Sequence, residues 1–187
     1  MLFRSPKRQT RASKAKEKGL EPFAQYLFRQ EDSEGDPGDE ALRYVDGEKD
    51  LPTVAEVLQG ARDIIAEWVA EDIDTRNRVR HLYWEEGVLK SEGESAETTV
   101  FEMYYDYKEP VKAIPPHRIL AINRGEKEGV LKVTLLVPED KVMAYLYERV
   151  ITNQTFAGRE HLEMAATDGY KRLLHPTVEI GRASCRE

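Results

Sequence analysis

Thr53-Val54-Ala55-Glu56-Val57-Leu58-Gln59-Gly60-Ala61-Arg62-Asp63-Ile64-Ile65-Ala66-Glu67-Trp68-Val69 is the stretch that decides how this chain folds. Thr53 and Glu56 have the spacing of a capping box, in which the threonine hydroxyl accepts a free backbone N–H and the glutamate reaches back to the cap. Val54, Val57, Leu58, Ala61, Ile64, Ile65, Trp68 and Val69 then fall within an arc of about 140° at the helical period, with Glu56, Gln59, Asp63 and Glu67 on the other side. Burying that stripe contributes on the order of 10–20 kcal/mol gross, most of it offset by chain entropy. The segment is therefore expected to be a core helix with Trp68 largely buried. On that reading Trp68→Ala should cost about 3–5 kcal/mol.

The flanks extend the helical pattern. Residues 10–29 read as one or two short helices, broken near Gly19 and restarted at Glu21-Pro22, where proline suits a first turn. Residues 31–39 contain no apolar side chain apart from Pro37 and are expected to be a surface loop. Downstream, Asp74 can cap a helix running to Glu86, with Val79, Leu82, Tyr83 and Trp84 as its apolar residues and Gly87 as its stop. Val88–Lys90, Val100–Tyr105 and Val130–Val137 are short β-prone runs, the last with strand-like alternation over 131–135. Pro115-Pro116 opens a helix closed by Arg124-Gly125, and Pro138 opens another with Val142, Met143, Leu146, Tyr147 and Val150 on one face. A last helix is expected from Gly158 to Leu174, carrying Leu162, Ala165, Ala166, Gly169 and Leu173 on a small-residue face and ended by Pro176. The fold class is mainly α, a multi-helix region with a small antiparallel β element.

Composition limits the classes of function. The chain has 187 residues, 40% hydrophobic and 34% charged, enough for one medium domain, or one and a half, with a real core. No run approaches the ~20 apolar residues that span a bilayer, and no apolar signal core follows the basic start, so a cytoplasmic protein without a membrane partner is expected. A single cysteine, Cys185, cannot build a disulfide framework or a cysteine-based zinc site. Charge is unevenly placed. Residues 1–19 hold seven Lys/Arg against one acid, Glu17, a net of +6, which leaves −13 for the rest of a chain with net charge −7. Lys7, Arg8, Arg11, Lys14, Lys16 and Lys18 are the candidate nucleic-acid-binding residues, because phosphate contact needs clustered cations. Solvation of a lysine-rich helix end is the alternative use of the same residues.

Motifs of chemistry are sparse. His81, His117, His161 and His175 have no His or Cys at ligand spacing, so no metal and no cofactor is expected. The sequence has no Gly-x-Ser-x-Gly elbow and no phosphate-cradling glycine loop; Gly125 and Gly129 among charges fit a helix-to-strand turn. Tyr104-Tyr105-Asp106-Tyr107 has the composition of a base-stacking surface, but acids surround it and packing is the favoured use. Nothing here supports catalysis, and the expectation is that the chain is not an enzyme.

Several blocks, in order, resemble the Tex family of bacterial transcription accessory proteins. They are 7–12 with 17–22, Gly60–Trp68, Asp106–Pro110, Ile114–Ala121, Arg124–Glu126 with Glu128–Leu131, and Asp168–Leu174, so the resemblance covers about 6–179. It implies a helical region that, in the family, accompanies an RNase-H-like domain, helix-hairpin-helix elements and a C-terminal OB-fold RNA-binding domain. On this reading residues 1–19 form a basic segment, 20–179 a partial Tex-like helical domain, and 180–187 a tail outside the family pattern. That tail, Ile180–Glu187, resembles a translated sequencing adapter, which would make Cys185 a non-biological residue. The implied function is that of a non-catalytic scaffold segment of a nucleic-acid-binding transcription accessory protein, with weak RNA or DNA contact and the transcription machinery as partner. A protein-docking module on RNA polymerase or the ribosome is the other reading, and a salt-dependent binding assay separates the two.

Overall fold

In a computed structural model, residues 9–31, 35–94 and 99–178 are described. Thr10 starts the first helix, α1 (Arg11–Glu17), with a capping box: its hydroxyl accepts from the Ser13 amide while the Ser13 hydroxyl accepts from the Thr10 amide. Gly19, at φ +86°, turns the chain into α2 (Glu21–Arg29), which ends on Gln30 in the left-handed region at φ 55°. The expected loop over 31–39 is interrupted by α3 (Pro37–Ala41). Asp36 accepts the Gly38 amide at 2.7 Å and Pro37 supplies a helical φ, so two residues typical of loops here act as a helix start.

The capping box at Thr53 forms as read from the sequence and opens α4 (Val54–Glu71). Asp72 then ends α4 and caps α5 (Ile73–Glu86); its carboxylate accepts both the Thr75 amide, at 2.9 Å, and the Thr75 hydroxyl, at 2.7 Å. The cap is thus Asp72 and not Asp74, because the amide that needs an acceptor is three residues on from Asp72. The chain continues through β1 (Val88–Gly93), β2 (Asp106–Pro110), α6 (Pro116–Lys127), β3 (Leu131–Leu136), α7 (Glu139–Val150) and α8 (Arg159–Asp168). A π-helical turn, Gly169–Leu174, follows α8, and α-helix resumes at 175–178. Pro176 therefore does not end the helix. The extra residue in the wide turn moves the inward position from Leu173, which is half-buried, to Leu174, which is 1% exposed. The architecture is mainly α with one small antiparallel sheet, as expected.

Two compact units share these elements, one made of the described residues up to Thr75 with Met143–Pro176, the other of Arg76–Val142 with the described residues from Thr177 on. In the first, α4 is packed on more than one side. Val57, Ala61, Ile64 and Ile65 are fully buried, as the periodicity predicts. Asp63, Ala66 and Ala70, on the side expected to be solvated, are buried as well. Small residues explain this. A Cβ placed on Gly60 would stand 2.3 Å from the Leu20 Cδ1 and 3.4 Å from the Ala15 Cβ, so α1 lies directly on α4 there. On another side, a Cβ on Gly169 would stand 2.8 Å from the Ala66 carbonyl oxygen, which shows how closely the π-turn approaches.

Trp68 departs from expectation: it is only half-buried, edge-on to Phe28 with ring centroids 5.7 Å apart. It stands near the C-terminal end of α4, where the indole covers the rim of the core. Trp68→Ala is therefore expected to lose about 1–2 kcal/mol, one aromatic pair plus partial burial, and not the 3–5 kcal/mol of a central residue. Urea denaturation checks this; a loss above about 3 kcal/mol would return Trp68 to the core.

In the second unit the strands pair antiparallel in the order β2-β1-β3. Leu89 faces Glu109 and Leu135, and Ser91 faces Tyr107 and Val133, so one sheet face carries the core. Leu89, Phe101, Tyr104, Ile114, Ile122 and Leu131 fill it. The β-prone run Val100–Tyr105 is not a strand; it turns through a 3₁₀ segment, Glu102–Tyr104, that places Phe101 and Tyr104 inside. The strand follows it, at the sheet edge, where Pro110 is tolerated because that side of the ladder needs no donor. Helix α6 runs through Gly125, beyond the stop expected there. Gly125 is needed for contact instead: a Cβ would lie 2.6 Å from the Leu131 Cδ1. Gly129, at φ +71°, makes the turn into β3.

Candidate functional site

The basic end is built on α1. Ala12 and Ala15 are its buried side, and the cations lie on the rest of it. Lys7 and Arg8 lie outside the described residues, as does the whole 180–187 tail with Cys185. Arg11 and Lys14 are exposed. Lys16 and Lys18 are half-buried and engaged: the Lys16 ammonium sits 3.3 Å from Glu67, and Lys18 donates to both the Asp50 carboxylate and the Asp50 carbonyl at 2.8 Å. The Lys18 hydrogen bond and charge hold the Asp50 carboxyl below its ordinary value. Glu67 also accepts from the Thr10 hydroxyl at 2.9 Å, which ties the start of α1 to α4. Of the four described cations, the structure thus leaves Arg11 and Lys14 facing solvent and joins Lys16 and Lys18 to acids of the same unit.

A polar network that sequence reading missed lies on α4, α8 and the π-turn. Arg172 donates to Asp168 at 3.0 and 2.5 Å and lies 3.8 Å from Asp63. Gln59 donates to Asp63 at 3.2 Å, and Arg62 donates to Gln59 at 2.7 Å and meets His161 Nδ1 at 3.2 Å. Burial pushes the Asp63 carboxyl up and, together with the Arg62 charge, pushes the His161 imidazole down. The sequence signal that was available is the run of small residues Gly60, Ala66 and Ala70 between the acids: a helix that is small-sided where it should be solvated is packed there. The network cross-links helices by charge-assisted bonds and holds His161 toward its neutral form. Among the described residues no group of three or more His, Cys, Asp or Glu side chains gathers as a metal site.

The tyrosine cluster of the second unit is packing, as favoured from sequence. Tyr104 is 6% exposed and its carbonyl accepts the Ser91 hydroxyl at 2.6 Å. Tyr105 covers Gly93 and pairs with the Thr99 hydroxyl at 2.9 Å. Tyr107 meets Tyr104 edge-on at 5.5 Å and donates to Glu109, which Arg118 approaches at 3.3 Å. Burial, with Glu109 accepting, raises the Tyr107 phenol above its ordinary value. No ring of the three is offered as a free stacking platform. On α5, by contrast, Asn77, Arg80, His81 and Trp84 are exposed. No described helix is long and apolar enough to cross a membrane.

Comparison with known proteins places this chain in a family. Residues 32–174 match the family described as Tex central region-like. An uncharacterised Bacillus subtilis protein, YdcI, is 42% identical over 179 residues, covering 92% of this chain and 24% of that protein. Protein tex of Bordetella pertussis is 38% identical over 138 residues, 72% of this chain and 17% of its own length. The human S1 RNA-binding domain-containing protein 1 is 26% identical over an alignment of 202 positions, 99% of this chain and 19% of that protein. The chain spans a quarter or less of the length of each of these relatives.

Proposed function

The chain belongs to the Tex family, and from that premise we propose that it is a helical scaffold segment of a nucleic-acid-binding transcription accessory protein, in weak, sequence-independent contact with RNA or DNA. The observation that carries the reading is the exposed pair Arg11 and Lys14 at the head of a +6 segment, on a helix fixed to α4 by Thr10, Lys16 and Gly60. A rigid cationic helix end can neutralise phosphates without ordering a loop first. Relatives named for transcription or for an RNA-binding domain support the same setting. The role is that of a scaffold in the cytoplasm, without a catalytic step; a reproducible turnover by the purified chain would displace it.

Because the rest of the chain is acidic, binding is expected to be no tighter than about 10⁻⁴–10⁻⁶ M at physiological salt. Changing Lys7, Arg8 and Arg11 together to Ala should weaken it at least about tenfold and flatten its salt dependence by about one unit per lost contact. Tyr104→Ala and Tyr105→Ala should affect folding of their own unit and not the salt slope. Fluorescence anisotropy across a salt series reads all three. A parent chain that binds no oligonucleotide at low salt would favour the second reading, docking on a protein of the transcription machinery. That reading draws on the engagement of Lys16 and Lys18 by acids and on the −13 charge of residues 20–187.

A further inference from the structure

The stretch Thr75–Trp84 holds three arginines and a histidine and no acid. It forms most of α5, whose inward side is Val79, Leu82 and Tyr83, at 0%, 6% and 3% exposure. Asn77, Arg80, His81 and Trp84 are the exposed residues at i, i+3, i+4 and i+7, so they share the opposite side of the helix. This is the spacing that builds a core face elsewhere in the chain, here turned to solvent. Trp84 keeps 51% of its surface in water. Large aromatic side chains are mostly buried, so an exposed indole beside a guanidinium is a feature to be explained.

Charge narrows the explanation. The two acids that end α5 are neutralised from other elements, Glu85 by Lys112 at 3.0 Å and Glu86 by Lys141 at 2.6 Å. Arg80 joins no ion pair among the described residues. Beyond Ile73 in its first turn, the outward side therefore offers a guanidinium without an ion pair among the described residues, an imidazole, an amide and one indole plane. A protein interface is centred on a buried apolar patch; the other exposed apolar residue on this side of α5, Ile73, stands about three turns before Trp84, and two side chains that far apart do not make one. A nucleic-acid strand needs less: one aromatic plane for a base and one cation for the adjoining phosphate, which i and i+4 positions supply side by side. In a duplex the base faces are already stacked, so the fit is to a single strand.

We propose that Asn77, Arg80, His81 and Trp84 form a contact surface for single-stranded nucleic acid, with a base on the Trp84 indole and its phosphate on Arg80. The proposal rests on the reading that the chain works beside nucleic acid, and it adds a contact separate from the basic end. Titration of the 187-residue chain with dye-labelled oligouridylate tests it. Trp84→Ala should weaken binding about 5- to 150-fold, the range that follows from losing one stacked base. Arg80→Ala should lower the salt slope by about 0.7. With Trp68→Phe, Trp84 is the only tryptophan left, and its fluorescence should be quenched by the oligonucleotide. Circular dichroism should be unchanged in the two exposed-site variants. If both bind as the parent does while Lys7, Arg8 and Arg11 changed together lose binding, the stripe is overturned and the basic-end reading stands. If nothing binds at low salt, both are overturned. If Trp84→Ala abolishes association with purified RNA polymerase yet leaves oligouridylate binding intact, the stripe is a protein-docking face and the proposal is overturned.

Discussion

Phe23→Ala should destabilise the first unit by about 3–5 kcal/mol, the largest single loss expected in this chain. The ring is fully buried on α2, stacked with Tyr26 at 6.1 Å and tilted against Tyr44 at 5.3 Å. Removing it forfeits the transfer energy of the whole side chain and leaves a cavity between helices that cannot close without moving α2 off α4. The aromatic geometry adds about 0.5–1.5 kcal/mol per pair beyond area alone. Phe23→Leu fills most of the volume and should lose less than half as much. Equilibrium urea denaturation with both variants is the measurement; equal losses for Ala and Leu would mean that ring stacking, and not volume, holds the site.

How much of this was legible in the sequence depends on what kind of signal each element carries. The caps are local, and Thr53 with Glu56 could be read because four consecutive residues contain the whole interaction. Periodicity identified α4 and the centre of its apolar arc, and Val57, Ala61, Ile64, Ile65 and Val69 are buried. Periodicity reports only one face, however, and α4 has more. Asp63 and Glu67 look solvent-facing to any pattern that counts apolar residues, yet their partners Arg172, Lys16 and Thr10 lie far away in sequence. The same limit misplaced Trp68, since the period gives an angle around the helix and not a distance from its end. Val100–Tyr105 failed for another reason: aromatic residues favour both strands and cores, and here burial of Phe101 and Tyr104 in a turn outweighed strand propensity.

The candidate sites divide in the same way. The cluster of cations before Gly19 is visible as composition, and its placement on a helix follows from Thr10 and Ser13. That Lys16 and Lys18 are joined to acids is a tertiary fact. Trp84 was read only as one of the apolar residues of this helix, with Val79, Leu82 and Tyr83. Its position, one residue past Tyr83, swings it about 100° round the helix, away from the buried side. The acid-free run Thr75–Trp84 was in plain view, but only the exposure of Trp84 distinguishes a contact face from a solvated one.

Gln30 is the clearest case of a residue whose weight no local pattern discloses, and Gln30→Ala should cost about 2–4 kcal/mol. Its side chain is 4% exposed and joins the end of α2 to the end of α7. The amide nitrogen donates to the Val150 carbonyl at 2.8 Å, and the amide oxygen accepts from the Thr152 and Asn153 backbone N–H groups at 2.9 and 3.0 Å. Asn153 returns the contact by donating to the Gln30 carbonyl at 3.2 Å. Truncation strands the Val150 carbonyl in a buried position, where an unsatisfied acceptor costs about 1–3 kcal/mol, while exposed Thr152 can turn to water. Glycine separates this from a backbone effect. Gln30 sits at φ 55°, which costs a residue with a Cβ about 1–2 kcal/mol that glycine avoids. If the hydrogen bonds dominate, Gln30→Gly stays less stable than the parent but recovers about 1 kcal/mol over Gln30→Ala. If Gln30→Gly is instead more stable than the parent, the left-handed backbone is the main effect and the amide bridge contributes little. Thermal and urea unfolding of the three proteins side by side decides between them.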